Sequence, residues 1–156
     1  MRHVLQEDGR MEGEGRAIAR LRTEHQDIIR TLNIVGDEAI NAVHPKSNGT
    51  KRISKLILQL GVLLKTHFAH EQTALYGPLR STLGGDSPTD SMLEEHRSIQ
   101  RAYERVLAAL AECESQASSS QAREGLRFHI DSLQGITTEH IRKEEKIIFW
   151  IAELNL

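Results

Sequence analysis

Between Arg16 and Val43 apolar side chains return at Ile18, Leu21, Ile28, Leu32, Val35 and Ala39, the three-and-four spacing of a helix with one buried face. Pro45 and the Ser47-Asn48-Gly49 turn predict its end. The same period resumes near Thr50 and runs to about Arg80 through Ile53, Leu56, Leu60, Leu63, Leu64, Leu75 and Leu79, where Gly77-Pro78 is expected to bend or stop the helix. A third helix is predicted from about Pro88 to Cys113. Ser87 is placed to cap it, Pro88 to open it and Asp90 to complement its first turn, and its stripe reads Met92, His96, Ile99, Tyr103, Val106 and Leu110. The polar run Glu114 to Gln121 reads as a linker. Its last serine, Ser120, would cap a fourth helix carrying Leu126, Ile130, Leu133, Ile136, Ile147, Ile148 and Ile151 inward. No alternating pattern competes, so the chain is expected to be all-α. Four long amphipathic helices with short connections predict an up-down-up-down antiparallel four-helix bundle.

A chain of 156 residues suits one such domain. Gly9, Gly13 and Gly15 among charges suggest a flexible tail over residues 1–13, with the bundle occupying 14–156. A formal charge of −2 supplies no broad field, which disfavours nucleic acid and anionic membranes as partners. No run of 18 apolar residues predicts a membrane span. A single cysteine, Cys113, and an N-terminal stretch without an apolar core point to the cytoplasm. The unusual residue is histidine, with eight copies against six aromatics in all.

Those histidines fall in the buried stripes. His25 lies four residues after Leu21 and three before Ile28. His67 and Glu71 stand at i and i+4 on the second helix, about 40° apart around its axis, so both can reach one point in the core. His140 and Glu144 repeat the device on the fourth helix, and His96 takes the matching place on the third. Antiparallel helices rise equally per residue, so height can be counted from each turn. With turns near residues 47 and 118, His25 is level with His67 and Glu71, and His96 with His140 and Glu144. Around a turn near residue 85, Glu71 and His96 differ by roughly one helical turn, about 5 Å, a gap that loop geometry can absorb.

Four imidazoles and two carboxylates in one helical core would cost several kcal/mol, on the order of 5, unless a cation compensates. Six ligands exceed one zinc site and suit two octahedral ions, each with two imidazoles, bridged by Glu71 and Glu144. Nitrogen and oxygen ligands without thiolate favour iron, or manganese. With a solvent oxygen also bridging, each ion keeps about one exchangeable position, open to dioxygen, nitric oxide or peroxide.

Leu21-Arg-Thr-Glu-His25, His67-Phe-Ala-His-Glu71 with Leu75 and Pro78, Glu95-His96, and His140-Ile-Arg-Lys-Glu-Glu145 with Phe149 resemble, in that order, the hemerythrin (HHE cation-binding) family over about Arg16 to Leu154. The resemblance implies a non-haem di-iron centre with a bridging oxo or hydroxo group. Oxygen-carrying members have a second histidine one turn after His96, where this chain has Gln100. They also place the acid of the fourth helix at the position of Glu145. The ligand pattern is closer to the repair-of-iron-centres proteins and to relatives that respond to nitric oxide or react with peroxide. It implies binding of a diatomic ligand for sensing, storage or detoxification, a redox enzyme acting on peroxide or nitric oxide, or an iron donor. The oligomeric state is not specified.

Other residues carry competing readings. His70 is an added ligand, a hydrogen bonder behind the ligands, or a surface residue. Glu145 points about 100° from Glu144, which makes Glu144 the inward acid. Tyr103 is either a donor toward the pocket or a core aromatic. His129 lies eleven residues from His140, roughly 16 Å along the helix, and is expected outside the site. No histidine has an acid three residues before it, which argues against a ferritin-like site, and Ala74 interrupts the only approach to a zinc-protease motif at His70-Glu71.

Overall fold

The structure, a computed structural model, describes residues 4–42, 49–85, 87–115 and 119–156. It is an all-α four-helix bundle. The first rod is α1 (Val4–Ala42). The second is α2 (Gly49–Glu71), continued by a wider π turn at Gln72–Tyr76 and by α3 (Gly77–Leu83). The third is α4 (Thr89–Ser115), and the fourth is α5 (Ser120–Lys143), a second π turn at Glu144–Ile148, and α6 (Phe149–Asn155). α1 packs on α2 and α5, and α4 on α5 and α2. Among the described residues no helix is long and apolar enough to cross a membrane.

Helix boundaries follow local chemistry. The Ser87 hydroxyl accepts from the Thr89 amide at 3.4 Å and its carbonyl from the Asp90 amide at 3.2 Å, while Asp90 pairs with Arg80 at 2.7 Å. α5 is capped by Ser119, whose hydroxyl accepts from the Ala122 amide at 3.2 Å, and not by Ser120, which is already helical. α1 runs without interruption from Val4 through Gly9, Gly13 and Gly15. The first predicted turn, near residue 47, and the last, near 118, lie outside the described residues.

Gly77-Pro78 neither ends nor breaks the second rod. The Gly77 amide donates to the Gln72 carbonyl, five residues back, and this widened turn makes room for a proline ring that offers no N–H. The second π turn closes in the same way, Phe149 amide to Glu144 carbonyl. Each extra residue turns the following stripe. Ile148, Phe149 and Ala152 are buried while Ile147 is 46% exposed, and upstream Thr137 takes the buried place that the periodicity gave to Ile136, which is 39% exposed.

The core is divided. One apolar cluster gathers Ile28, Leu32, Ile57, Leu60, Ile99, Val106, Ile130 and Leu133 with their neighbours. A second gathers Leu21, Leu75, Tyr76, Leu79, Met92, Ile148, Phe149 and Ala152 at the other end. Buried where the two clusters meet are His25 on the first rod, His67 and Glu71 on the second, His96 on the third, and His140 and Glu144 on the fourth.

Candidate metal centre

All six predicted site residues meet in that intervening layer. His25, Glu71 and Glu144 are fully buried, His67 and His140 nearly so, and His96 keeps 8% of its surface. Ligand atoms of His25, His67, Glu71 and Glu144 lie within 4.8 Å of one another, as do those of Glu71, His96 and His140. The two groups share Glu71. Its Oε1 lies 2.6 Å from His67 Nε2 and 3.5 Å from His25 Nε2, and its Oε2 lies 3.0 Å from His96 Nε2. Glu144 spans the layer through Oε2, 3.1 Å from His25 Nε2 and 3.8 Å from His140 Nε2. The imidazole pairs are near copies: His25 and His67 cross edge to face at 4.6 Å and 70°, His96 and His140 at 4.7 Å and 70°. The offset of roughly one helical turn expected between Glu71 and His96 does not keep them apart: their side chains meet at 3.0 Å, with the π turn at Gln72–Tyr76 lying between the two residues in sequence.

The outward nitrogens explain how the rings are aimed. His25 Nδ1 donates to Glu145 Oε1 at 2.7 Å, His67 Nδ1 to Glu24 Oε2 at 3.0 Å, and His140 Nδ1 to Glu95 Oε2 at 3.0 Å. An ionised carboxylate only accepts, so the proton of each neutral ring sits on Nδ1 and the Nε2 lone pair faces inward. Two of these three acids immediately precede a site histidine in sequence, and the third immediately follows Glu144. Each therefore braces a ring on a neighbouring rod.

Inward, acceptors confront acceptors. His67 Nε2 and both Glu71 oxygens are buried with no aligned hydrogen bond, although Nε2 and Oε1 are 2.6 Å apart. A buried unpaired group of this kind costs about 1–3 kcal/mol, more when charged. A cation held between them removes the penalty. The donor set and its orphaned atoms fit metal ions.

The sequence model of the hemerythrin HHE cation-binding domain matches residues 16–152. The chain belongs to the hemerythrin HHE cation-binding family. No curated protein and no solved structure shows a significant match. The family match spans every residue of the layer, and a cation-binding role agrees with the His/Glu cluster seen in the bundle.

Within this HHE domain, residues left open by the sequence find definite places. His70 is behind the site: its Nδ1 donates to Glu24 Oε1 at 2.7 Å and its Nε2 accepts from Arg20 at 2.9 Å. Glu145 is likewise behind His25 and pairs on its far side with Arg22 at 3.6 Å. Tyr103 is not in the layer. Its hydroxyl donates to the Ile57 carbonyl at 3.0 Å, directly over Gly61. The tyrosine in the site is Tyr76, on the first π turn, donating to Glu144 Oε1 at 2.5 Å with its hydroxyl 3.4 Å from His96 Nε2. Its position five residues after Glu71, just before Gly77-Pro78, is the only sequence signal that could have singled it out. His129 belongs to neither ligand group.

The electrostatics of the metal-free layer are those of ions in contact. Burial alone would push the His25 imidazole down, but hydrogen bonds to Glu144 and Glu71 overturn it and raise the group to about 9. Burial and the nearby His140 hold His96 down at about 3. Burial also lifts Glu71, reinforced by the Glu144 charge, whereas for Glu144 it is outweighed by hydrogen bonds from the site that hold its carboxyl at about 2. One buried carboxylate thus stays charged and the other resists it, as expected of two acids sharing a site without a metal. Tyr76 is driven well above the ordinary phenol range by burial and then by the charges of Glu71 and Glu144, so it remains a neutral hydrogen-bond donor.

Proposed function

We propose that this protein holds two iron ions, with manganese as the alternative metal, through His25, His67, Glu71, His96, His140 and Glu144. It would bind a small diatomic ligand, dioxygen or nitric oxide, in the cytoplasm for sensing, storage or detoxification. The observation that carries the reading is the opposition of His67 Nε2 to Glu71 Oε1 at 2.6 Å without a hydrogen bond, in a ring whose other nitrogen is anchored to Glu24. One ion would be held by His25 and His67, the other by His96 and His140, with Glu71 and Glu144 reaching both. Bound iron would supply exchangeable coordination positions and the electrons for reversible ligand binding.

The protein's own residues set the conditions. Phe68 stacks on His96 at 3.8 Å and Phe149 on His25 at 5.5 Å, closing the layer to bulk water on those sides. Tyr76 holds its one hydroxyl hydrogen on Glu144 Oε1, and a bound ligand would receive it only in exchange for that contact.

That hydroxyl also favours a second reading, a redox enzyme acting on peroxide or nitric oxide, because Tyr76 can hold a proton beside a reacting oxygen. Anaerobic purification with iron loading, metal analysis and optical spectra after separate additions of dioxygen, nitric oxide and peroxide distinguishes the two. A reversible spectral change without turnover supports the binding protein, and sustained peroxide or nitric oxide consumption supports the enzyme. Failure to retain iron would overturn both.

A further inference from the structure

The two halves of the bundle repeat one plan. Glu24-His25 on α1 answers Glu95-His96 on α4, and His67 with Glu71 answers His140 with Glu144, each pair leading into a π turn. The repetition extends behind the site. Glu24 accepts from His67 and from His70, three residues on, and Glu95 accepts from His140 and from Lys143, again three residues on. Five residues after Glu71, Tyr76 lies against His96 at 5.4 Å. Five residues after Glu144, Phe149 lies against His25 at 5.5 Å. Each half thus lays one aromatic ring on the lone histidine of the other.

Against that symmetry, one difference bears on the metal positions. Glu145, the residue after Glu144, takes the Nδ1 hydrogen of His25, and it is held on its other side by Arg22, whose guanidinium lies 5.0 Å over the Phe149 ring. In the other half the residue after Glu71 is Gln72, an exposed amide, and the position matching Arg22 is Leu93. The hydrogen-bond contacts of the His96 ring run through Nε2, to Tyr76 and His140. Among the described residues, both imidazoles of the His25/His67 pair are therefore backed by carboxylates, and only one of the His96/His140 pair. A carboxylate behind a metal-bound imidazole fixes its tautomer and raises its basicity, and losing one typically lowers metal affinity by about 10–100-fold.

We infer that Glu145, steadied by Arg22, is a positioning residue that makes the His25/His67 position the tighter of the two, and that Gln72 leaves the His96/His140 position the exchangeable one. The inference rests on the two-ion reading above and concerns how unequally the ions are held. Ferrous iron titrated anaerobically against a chromophoric chelator tests it. The wild type should take up iron in two steps separated by about 10–100-fold in affinity. Glu145→Gln should weaken the tighter step toward the looser one, and Gln72→Glu should strengthen the looser step. Both substitutions are at partly or fully exposed positions, and helical circular dichroism of the metal-free variants checks that they fold. Two equal steps in the wild type, or a tighter step unmoved by Glu145→Gln, would overturn the inference while leaving the metal reading intact. No iron uptake by the wild type would overturn the metal reading and this inference with it.

Discussion

The hydroxyl of Tyr76 crosses from the second rod of the bundle to the fourth and donates to Glu144 Oε1 at 2.5 Å, tying one of the two shared carboxylates to a π turn in the other half. In Tyr76→Phe the ring still fills its apolar place, but a fully buried carboxylate oxygen loses its donor. The metal-free variant should lose about 1.5–3 kcal/mol of stability, the range for a hydrogen bond to a charged group, as measured by urea unfolding. Iron stoichiometry should be unchanged, since the phenol is a donor and not a ligand. A variant as stable as the wild type would show that the contact contributes nothing.

Ligation separates cleanly from mere burial. His67→Ala and His140→Ala should each reduce bound iron sharply in metal analysis, whereas His129→Ala should retain the wild-type content because that ring lies outside both ligand groups. Equal loss in all three would mean that the layer is not the binding site.

Proton and metal compete for His25 Nε2. With its pKa raised from 6.5 to about 9, the metal-free ring carries a proton at pH 7. Metal uptake must displace it, so loading in weak buffer should acidify the solution by at least one proton per protein at pH 7, and iron affinity should climb as pH rises toward 9. The same raised value adds stability to the metal-free fold that is fully present below about 6.5 and is lost as pH rises through about 9. His96, lowered to about 3, works in the opposite sense and removes stability as pH falls below 6.5. An indicator-dye titration reads the first effect, and a pH series of melting curves on metal-free protein reads the other two.

Gly61 is required by packing. A Cβ there would collide with the Tyr103 hydroxyl, which is pinned to the Ile57 carbonyl. Gly61→Ala should destabilise by about 1–3 kcal/mol in spite of alanine's better helix propensity, and Tyr103→Phe should relieve part of that loss. A neutral or stabilising Gly61→Ala in urea unfolding would contradict the contact.

The six inward residues were legible because helical period and a count of residues to each turn are sufficient to place side chains on a stripe and at a height. The residues behind them were not. Glu24, Glu95 and Glu145 lie beside site residues in sequence but off the buried stripe, and only the neighbouring rods show that each meets a ring from another helix. The site tyrosine was missed for a related reason: Tyr103, read as a pocket donor or a core aromatic, sits on the three-and-four pattern and packs against the core, while Tyr76 is turned inward at a five-residue hydrogen bond that no hydrophobic period records. The same wide turn at Glu144–Ile148 moved Ile147 out and Phe149 in. Regular periodicity held through Leu75 and Leu79 after Glu71, but on the fourth rod it missed at Ile136 and again at Ile147.

The repeated plan of the two halves also bears on how such a protein can change over time. The pairs 72 and 145, 76 and 149, and 22 and 93 are matched places filled differently, and none of them belongs to the six residues of the inner layer. On the two-ion reading proposed above, substitutions at these places would make the two positions alike or push them further apart without touching the six inner residues. In that reading the inner layer sets what is held, and the six places around it set how unequally it is shared.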